Sequence, residues 1–238
     1  MVMWRSLVWK EWHEQRWRLW FGAALLGMFT LIGLRTRIMP DEQIVMFSMI
    51  IGGVFFPLMV AMGLIAPERA DGTIVRLLAL PVPPWKVLAA KMLIGSTVCV
   101  APLLAAAVVA AIVAGDRELA WKDFAVIYAM AVGMSVATLA WLTAAGVRQP
   151  SEARAGIAGI GVLFAWFLLV AMFAMLGAEV FQNTHLDEWV AAATPMGITM
   201  LRSEFVPPAA VIAIQLTSVA LVCWWSARRI AQPGKVVA

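Results

Sequence analysis

The chain has 238 residues, is 63% hydrophobic and carries only 13% charged residues, about half the charged share of a soluble domain. With a mean hydropathy of +0.89, this composition excludes an ordinary soluble enzyme. A net charge of +4 is too small to point to nucleic acid as a partner. Cys99 and Cys223 both lie in apolar runs, so they read as small packing residues and imply neither a disulfide framework nor a metal cluster.

Residues 1–18 interleave Trp4, Trp9, Trp12 and Trp17 with Arg5, Lys10, Arg16 and Arg18. Tryptophan beside Arg or Lys marks the headgroup layer of a bilayer. Arg5, Trp9, Trp12 and Arg16 fall on one helical face, and an interfacial helix anchored by Trp9, Trp12 and Arg16 is expected. Glu11 and Glu14 among the basic residues argue against a cleavable signal.

A first span is expected over about Leu19 to Leu34, and a second over about Ile44 to Ala66. Gly52-Gly53 and Pro57 mark a kink in the second. The longest polar interruption of the first half follows, Glu68 to Lys86. Asp71-Gly72-Thr73 offers capping side chains and a flexible entry to a short helix, Thr73 to Leu80. Ile74, Leu77 and Leu78 share its apolar face. Pro81 ends it, because the residue before a proline leaves the α region. Pro84 then suits the first turn of the next helix.

A third span is expected over about Val87 to Ala114, with Pro102 inside it. The fourth runs over about Phe124 to Val147 and the fifth over about Ala155 to Ala178, where Gly156 and Gly159 permit close helix packing. The loop from Glu179 to Pro208 holds two apolar pieces too short to span, Trp189 to Ala193 and Met196 to Leu201, split by Thr194-Pro195. A last span covers about Val206 to Ala227 and ends at Arg228-Arg229. The fold class is therefore an all-α membrane protein of six transmembrane helices, 1–238 forming a single domain.

Orientation follows from Lys and Arg. With both termini inside, thirteen of the 18 lie on inner segments: Arg5, Lys10, Arg16, Arg18, Arg69, Arg76, Lys86, Lys91, Arg148, Arg154, Arg228, Arg229 and Lys235. The other five, Arg35, Arg37, Arg117, Lys122 and Arg202, lie on outer loops. The bias places Glu68 to Lys86 in the cytoplasm.

The pattern Glu-Arg-x-x-Gly-Thr-x-x-x-Leu-Leu-x-x-Pro-Val occupies Glu68, Arg69, Gly72, Thr73, Leu77, Leu78, Pro81 and Val82, with Lys91 ten residues beyond Pro81. It resembles the loop between spans two and three of type-2 ABC export permeases. Pro83-Pro84 departs from that family, which usually has an aromatic or polar residue there. The resemblance implies that residues 68–86 carry a coupling helix, with Glu68, Gly72, Thr73, Ile74, Leu77, Leu78 and Pro81 docking a separate ATPase subunit. It also implies that residues 1–18 form an elbow helix and residues 179–208 an outer re-entrant hairpin. One chain would then be half of a transport path, paired with a second copy or a paralogue in the lipid bilayer of a bacterial inner membrane. Small members of this kind include haem exporters, nitrous-oxide-reductase maturation permeases, and drug or lipid exporters.

No Gly-x-x-x-x-Gly-Lys-Ser/Thr pattern occurs, so no P-loop binds ATP in this chain. ATP and magnesium belong to the expected partner, and no cofactor, metal or catalytic residue is expected here. His13 and His185 fall in segments expected on opposite sides of the membrane. Met46 with Met49, and Met59 with Met62, repeat at i, i+3 and read as flexible packing rather than a metal path. Apart from Lys91, the expected spans carry no charge, which suits an amphipathic or hydrophobic cargo such as a lipid, drug, haem-like molecule or peptide. The alternative from another class is a membrane scaffold or intramembrane enzyme without an ATPase partner.

Overall fold

The computed structural model describes residues 2–36, 40–74, 82–114, 121–180 and 185–230. Every regular element among them is helical. Six runs are long and apolar enough to cross a membrane: Trp4–Thr36, Gln43–Ala70, Pro84–Val113, Phe124–Gly146, Glu152–Leu176 and Pro208–Ile230. The expected number of spans is present. The helices group into two packed units, Met1–Val60 with Lys86–Leu139, and Ala61–Trp85 with Ala140–Ala238.

The first unit begins with α1 (Val2–Thr36). The expected interfacial helix and first span are therefore one element of 35 residues, because neither proline nor a helix-ending turn lies between them. At about 1.5 Å per residue it is roughly 52 Å long, well beyond the ~30 Å hydrocarbon core. Leu7, Glu11, Gln15, Gly22, Leu26, Thr30 and Leu34 form its buried stripe. Trp9, at 68% exposure, half-buried Trp12 and exposed Arg16 lie on the side away from Leu7 and Glu11.

The second span is built from α2 (Asp41–Ile50), a π-helical turn (Ile51–Phe55), α3 (Phe56–Met62) and, in the other unit, α4 (Ala66–Ala70). The expected kink is realised as the π turn. Pro57 has no N–H to give the carbonyl of Gly53, and the ladder slips by one residue: Phe56 N–H donates to the Ile51 carbonyl, five positions back. Gly52 and Gly53 are buried there. A β-carbon on Gly52 would run into Leu103, and one on Gly53 into Met134.

The unit is completed by α5 (Pro84–Ala114), which contains Pro102, and the first part of α6 (Trp121–Gly146). Pro84 opens α5 as expected. Leu26, Leu34, Ile44, Val45, Leu103, Ala106, Ala110, Phe124, Tyr128 and Ala131 form the core of this unit. Within it the Ser48 hydroxyl donates to the Ile44 carbonyl at 2.9 Å, leaving Thr30 as donor to Ser48 at 3.2 Å.

The second unit contains α4, the end of α6, α7 (Glu152–Val180), α8 (Leu186–Ala193), a 3-10 turn (Pro195–Arg202) and α9 (Pro208–Ile230). Here α4 packs on α7, and α8 packs on α7, the 3-10 turn and α9. Gly156 and Gly159 of α7 are buried. A β-carbon on Gly156 would meet Met62 at 2.6 Å, so this glycine serves packing inside the chain. The open surface of α7 is instead a run of large side chains, among them Ile157, Ile160, Phe164 and Phe167.

Candidate functional site

The turn after the second span is compact. Pro67 sits in the first turn of α4, where its missing N–H costs nothing. The helix ends with Asp71 N–H on the Pro67 carbonyl at 2.9 Å and Gly72 N–H on the Arg69 carbonyl at 3.2 Å. Gly72 has φ +68°, a left-handed conformation that glycine adopts without a β-carbon penalty. This is the flexible entry read from the sequence. Thr73, however, caps backwards: its hydroxyl donates to the carbonyl of Glu68 at 3.2 Å. Thr73 and Ile74 are already helical.

Glu68 is buried, at 6% exposure, and so is Ile74, also at 6%. Of the three residues expected on an apolar docking face, Ile74 is the one described, and its side chain packs against its own chain. Leu77, Leu78 and Pro81 lie outside the described residues.

The strongest polar contact in the first unit joins α1 to α5. Lys91 Nζ donates to Glu11 Oε1 at 2.8 Å, with side chains 2% and 3% exposed. Lys10 lies 3.9 Å from the same oxygen and 3.4 Å from Glu14. One turn along α1, Arg18 Nη1 donates to Gln15 Oε1 at 2.9 Å and to the Val60 carbonyl at 3.3 Å. That carbonyl lies in the last turn of α3, where the intrahelical ladder runs out. Lys91 was read from the sequence as an isolated charge near the inner end of span three. Its partner Glu11 was missed, 80 residues away. A signal existed: Glu11 stands four residues from both Leu7 and Gln15, on the stripe that α1 buries.

A second polar joint holds the short helices of the 179–208 loop. Gln215 of α9, 6% exposed, donates through Nε2 to the carbonyls of Ala192 at 2.8 Å and Thr194 at 2.5 Å. These carbonyls belong to the end of α8, where no intrahelical donor remains. Thr194 supports the turn through its hydroxyl on the Ala191 carbonyl at 2.8 Å. The start of α8 is fastened as well: His185 stacks on Phe205 with ring centroids 3.2 Å apart, and Ser203 donates to Glu188. The sequence division at Thr194-Pro195 is therefore the structural one.

Gln215→Leu should strand both carbonyls in an apolar setting, at about 1–3 kcal/mol for a buried unsatisfied group. The expected result is faster hydrogen exchange over residues 186–202, with little change in α2 or α5. Uniform exchange throughout, matching the parent protein, would show that the amide does not hold this pair.

No curated protein matches the chain. Residues 25–220, however, match the family described as ABC-2 family transporter protein. That match runs from the middle of α1 into α9 and takes in most of the sequence, so this chain is a membrane-integral member of the ABC-2 transporter family.

Proposed function

We propose that this chain is the transmembrane subunit of an ATP-driven exporter. Its six spans form half of a translocation path, and a second copy or a paralogue supplies the other half. Separate ATPase subunits dock from the cytoplasm onto residues 68–86. Both termini face the cytoplasm of a bacterial cell whose inner membrane holds the complex, and the two short helices before α9 dip into the outer leaflet. The cargo is amphipathic or hydrophobic.

The observation that carries this reading is the turn from Glu68 to Ile74. Thr73 is hydrogen-bonded to the carbonyl of Glu68 at 3.2 Å, and Glu68 belongs to the last helical piece of the second span. A push on the helix that starts at Thr73 is therefore delivered to the end of that span across a single tight turn. Partner contact at this loop falls to residues beyond the buried Ile74, with Leu77 and Leu78 the apolar candidates. Family membership supports an ATPase partner in general. The fifth span supports pairing: only 6% of its most apolar window is buried, against 56% for the second and fourth spans.

The test is a double substitution, Leu77→Asp with Leu78→Asp. Burying one leucine contributes roughly 1.5–3 kcal/mol, so losing two from a modest interface should abolish co-purification of the ATPase and end transport. Membrane insertion and yield should stay near those of the parent. Undiminished co-purification and transport would sink the docking assignment and mean that this face rests on the membrane surface instead.

A further inference from the structure

A cavity of about 640 Å³ opens between α6, α7 and α9 in the second unit. This is within the ~300–1,000 Å³ range of small-molecule sites. Its walls include Trp141 of α6, Trp166 and Leu169 of α7, and Leu221, Trp224 and Trp225 of α9. Trp141 and Trp166 meet edge to face, 5.1 Å between centroids at 89°. Leu169, Leu221 and Trp224 are 41%, 58% and 53% exposed, so the cavity is a side groove that an acyl chain can enter from the bilayer.

Two further observations set the polar end of an occupant. Arg228 lies over the Trp224 ring at 3.8 Å and Arg229 over the Trp225 ring at 5.1 Å. Both rings line the groove, so two cations stand at its rim, in the last turn of α9. A guanidinium that lies over a ring still has N–H donors along its edge, and these match phosphate oxygens in bidentate fashion.

We propose that this groove binds one anionic phospholipid from the leaflet on the Arg228 side. An acyl chain lies between Trp141, Trp166 and Leu221, and the phosphate sits on Arg228 and Arg229. Charge complementarity selects a lipid with net negative charge over a zwitterionic one, because choline would place a like charge beside two arginines. The site is independent of the transport reading, since it rests on the groove and its rim alone.

The test is native mass spectrometry of the full-length protein, released from nanodiscs made with equal phosphatidylglycerol and phosphatidylcholine. Two arginines near the surface should favour retained phosphatidylglycerol on the order of tenfold. Arg228→Gln with Arg229→Gln should bring the two lipids to parity. Ala165→Phe fills the groove from α7 and should displace both lipids, and Ala145→Leu, from α6, should do the same. Agreement between these two monodisperse variants separates filling from misfolding. Equal retention of both lipids by the parent protein would overturn the proposal, as would a phosphatidylglycerol preference that survives loss of both arginines. It is equally overturned if the filling variants keep their lipid but lose association between copies, because the groove would then seat a second copy of the chain.

Discussion

Lys91→Ala should lower the thermal unfolding midpoint of the purified protein by on the order of 10 °C. The change leaves the Glu11 carboxylate, 3% exposed, without its 2.8 Å partner. Breaking a buried ion pair from one side typically costs about 3–5 kcal/mol, because the remaining charge stays desolvated. In a chain of this size each kcal/mol shifts the midpoint by roughly 2–4 °C. Lys10, 3.9 Å away and 38% exposed, offsets only part of the loss. The informative companion is Glu11→Leu with Lys91→Met. Removing both charges together can be nearly neutral, so the double variant should recover most of the midpoint. If the two single losses simply add in the double variant, the pair has no coupling energy, and its role in joining α1 to α5 falls.

Gly197→Ala should destabilise the paired short helices by about 1–3 kcal/mol, the usual cost of forcing an extra carbon into a filled site. A β-carbon here would meet the Ala192 carbonyl carbon and Cα at 2.6 Å, and it would also run into the Ala192 oxygen. Those atoms are backbone at the end of α8, so no side chain can swing aside. The 3-10 turn must move away from α8, which pulls Thr194 out of reach of Gln215. The expected readout is a midpoint lower by on the order of 5 °C, together with faster exchange over 186–202. Gly161→Ala is the control. Nothing lies within 4 Å of its added carbon, and alanine is up to about 1 kcal/mol better than glycine inside a helix. That variant should match or exceed the parent midpoint. Equal midpoints for Gly197→Ala and the parent would mean that the close approach is relieved without cost.

The glycines separate by mechanism in the same way. Gly72 is required for its left-handed φ of +68°, whereas Gly52 is required for the space taken by Leu103. Gly156 faces the flexible end of Met62, which can shift, so its replacement by alanine belongs among the mild changes.

Much of this architecture follows from residue order alone. Spans are legible because every backbone polar group in a bilayer must be satisfied inside its own helix, which forces long apolar runs bounded by polar turns. The kink was legible at Gly52-Gly53 and Pro57, and the division of the last loop at Thr194-Pro195, since proline and glycine act locally. Gly72 was legible as a turn for the same reason. Tertiary structure alone decided which polar side chains meet. The partner of Lys91 is 80 residues away, and Gln215 reaches carbonyls 23 and 21 residues back; neither separation leaves a periodic trace in the sequence. It also decided that α1 runs unbroken through residues expected as two elements, and that Ile74 and Gly156 face inward. Local pattern defines a face of a helix but not what covers it. In a chain this apolar, nearly every face looks fit for burial, and only packing selects among them.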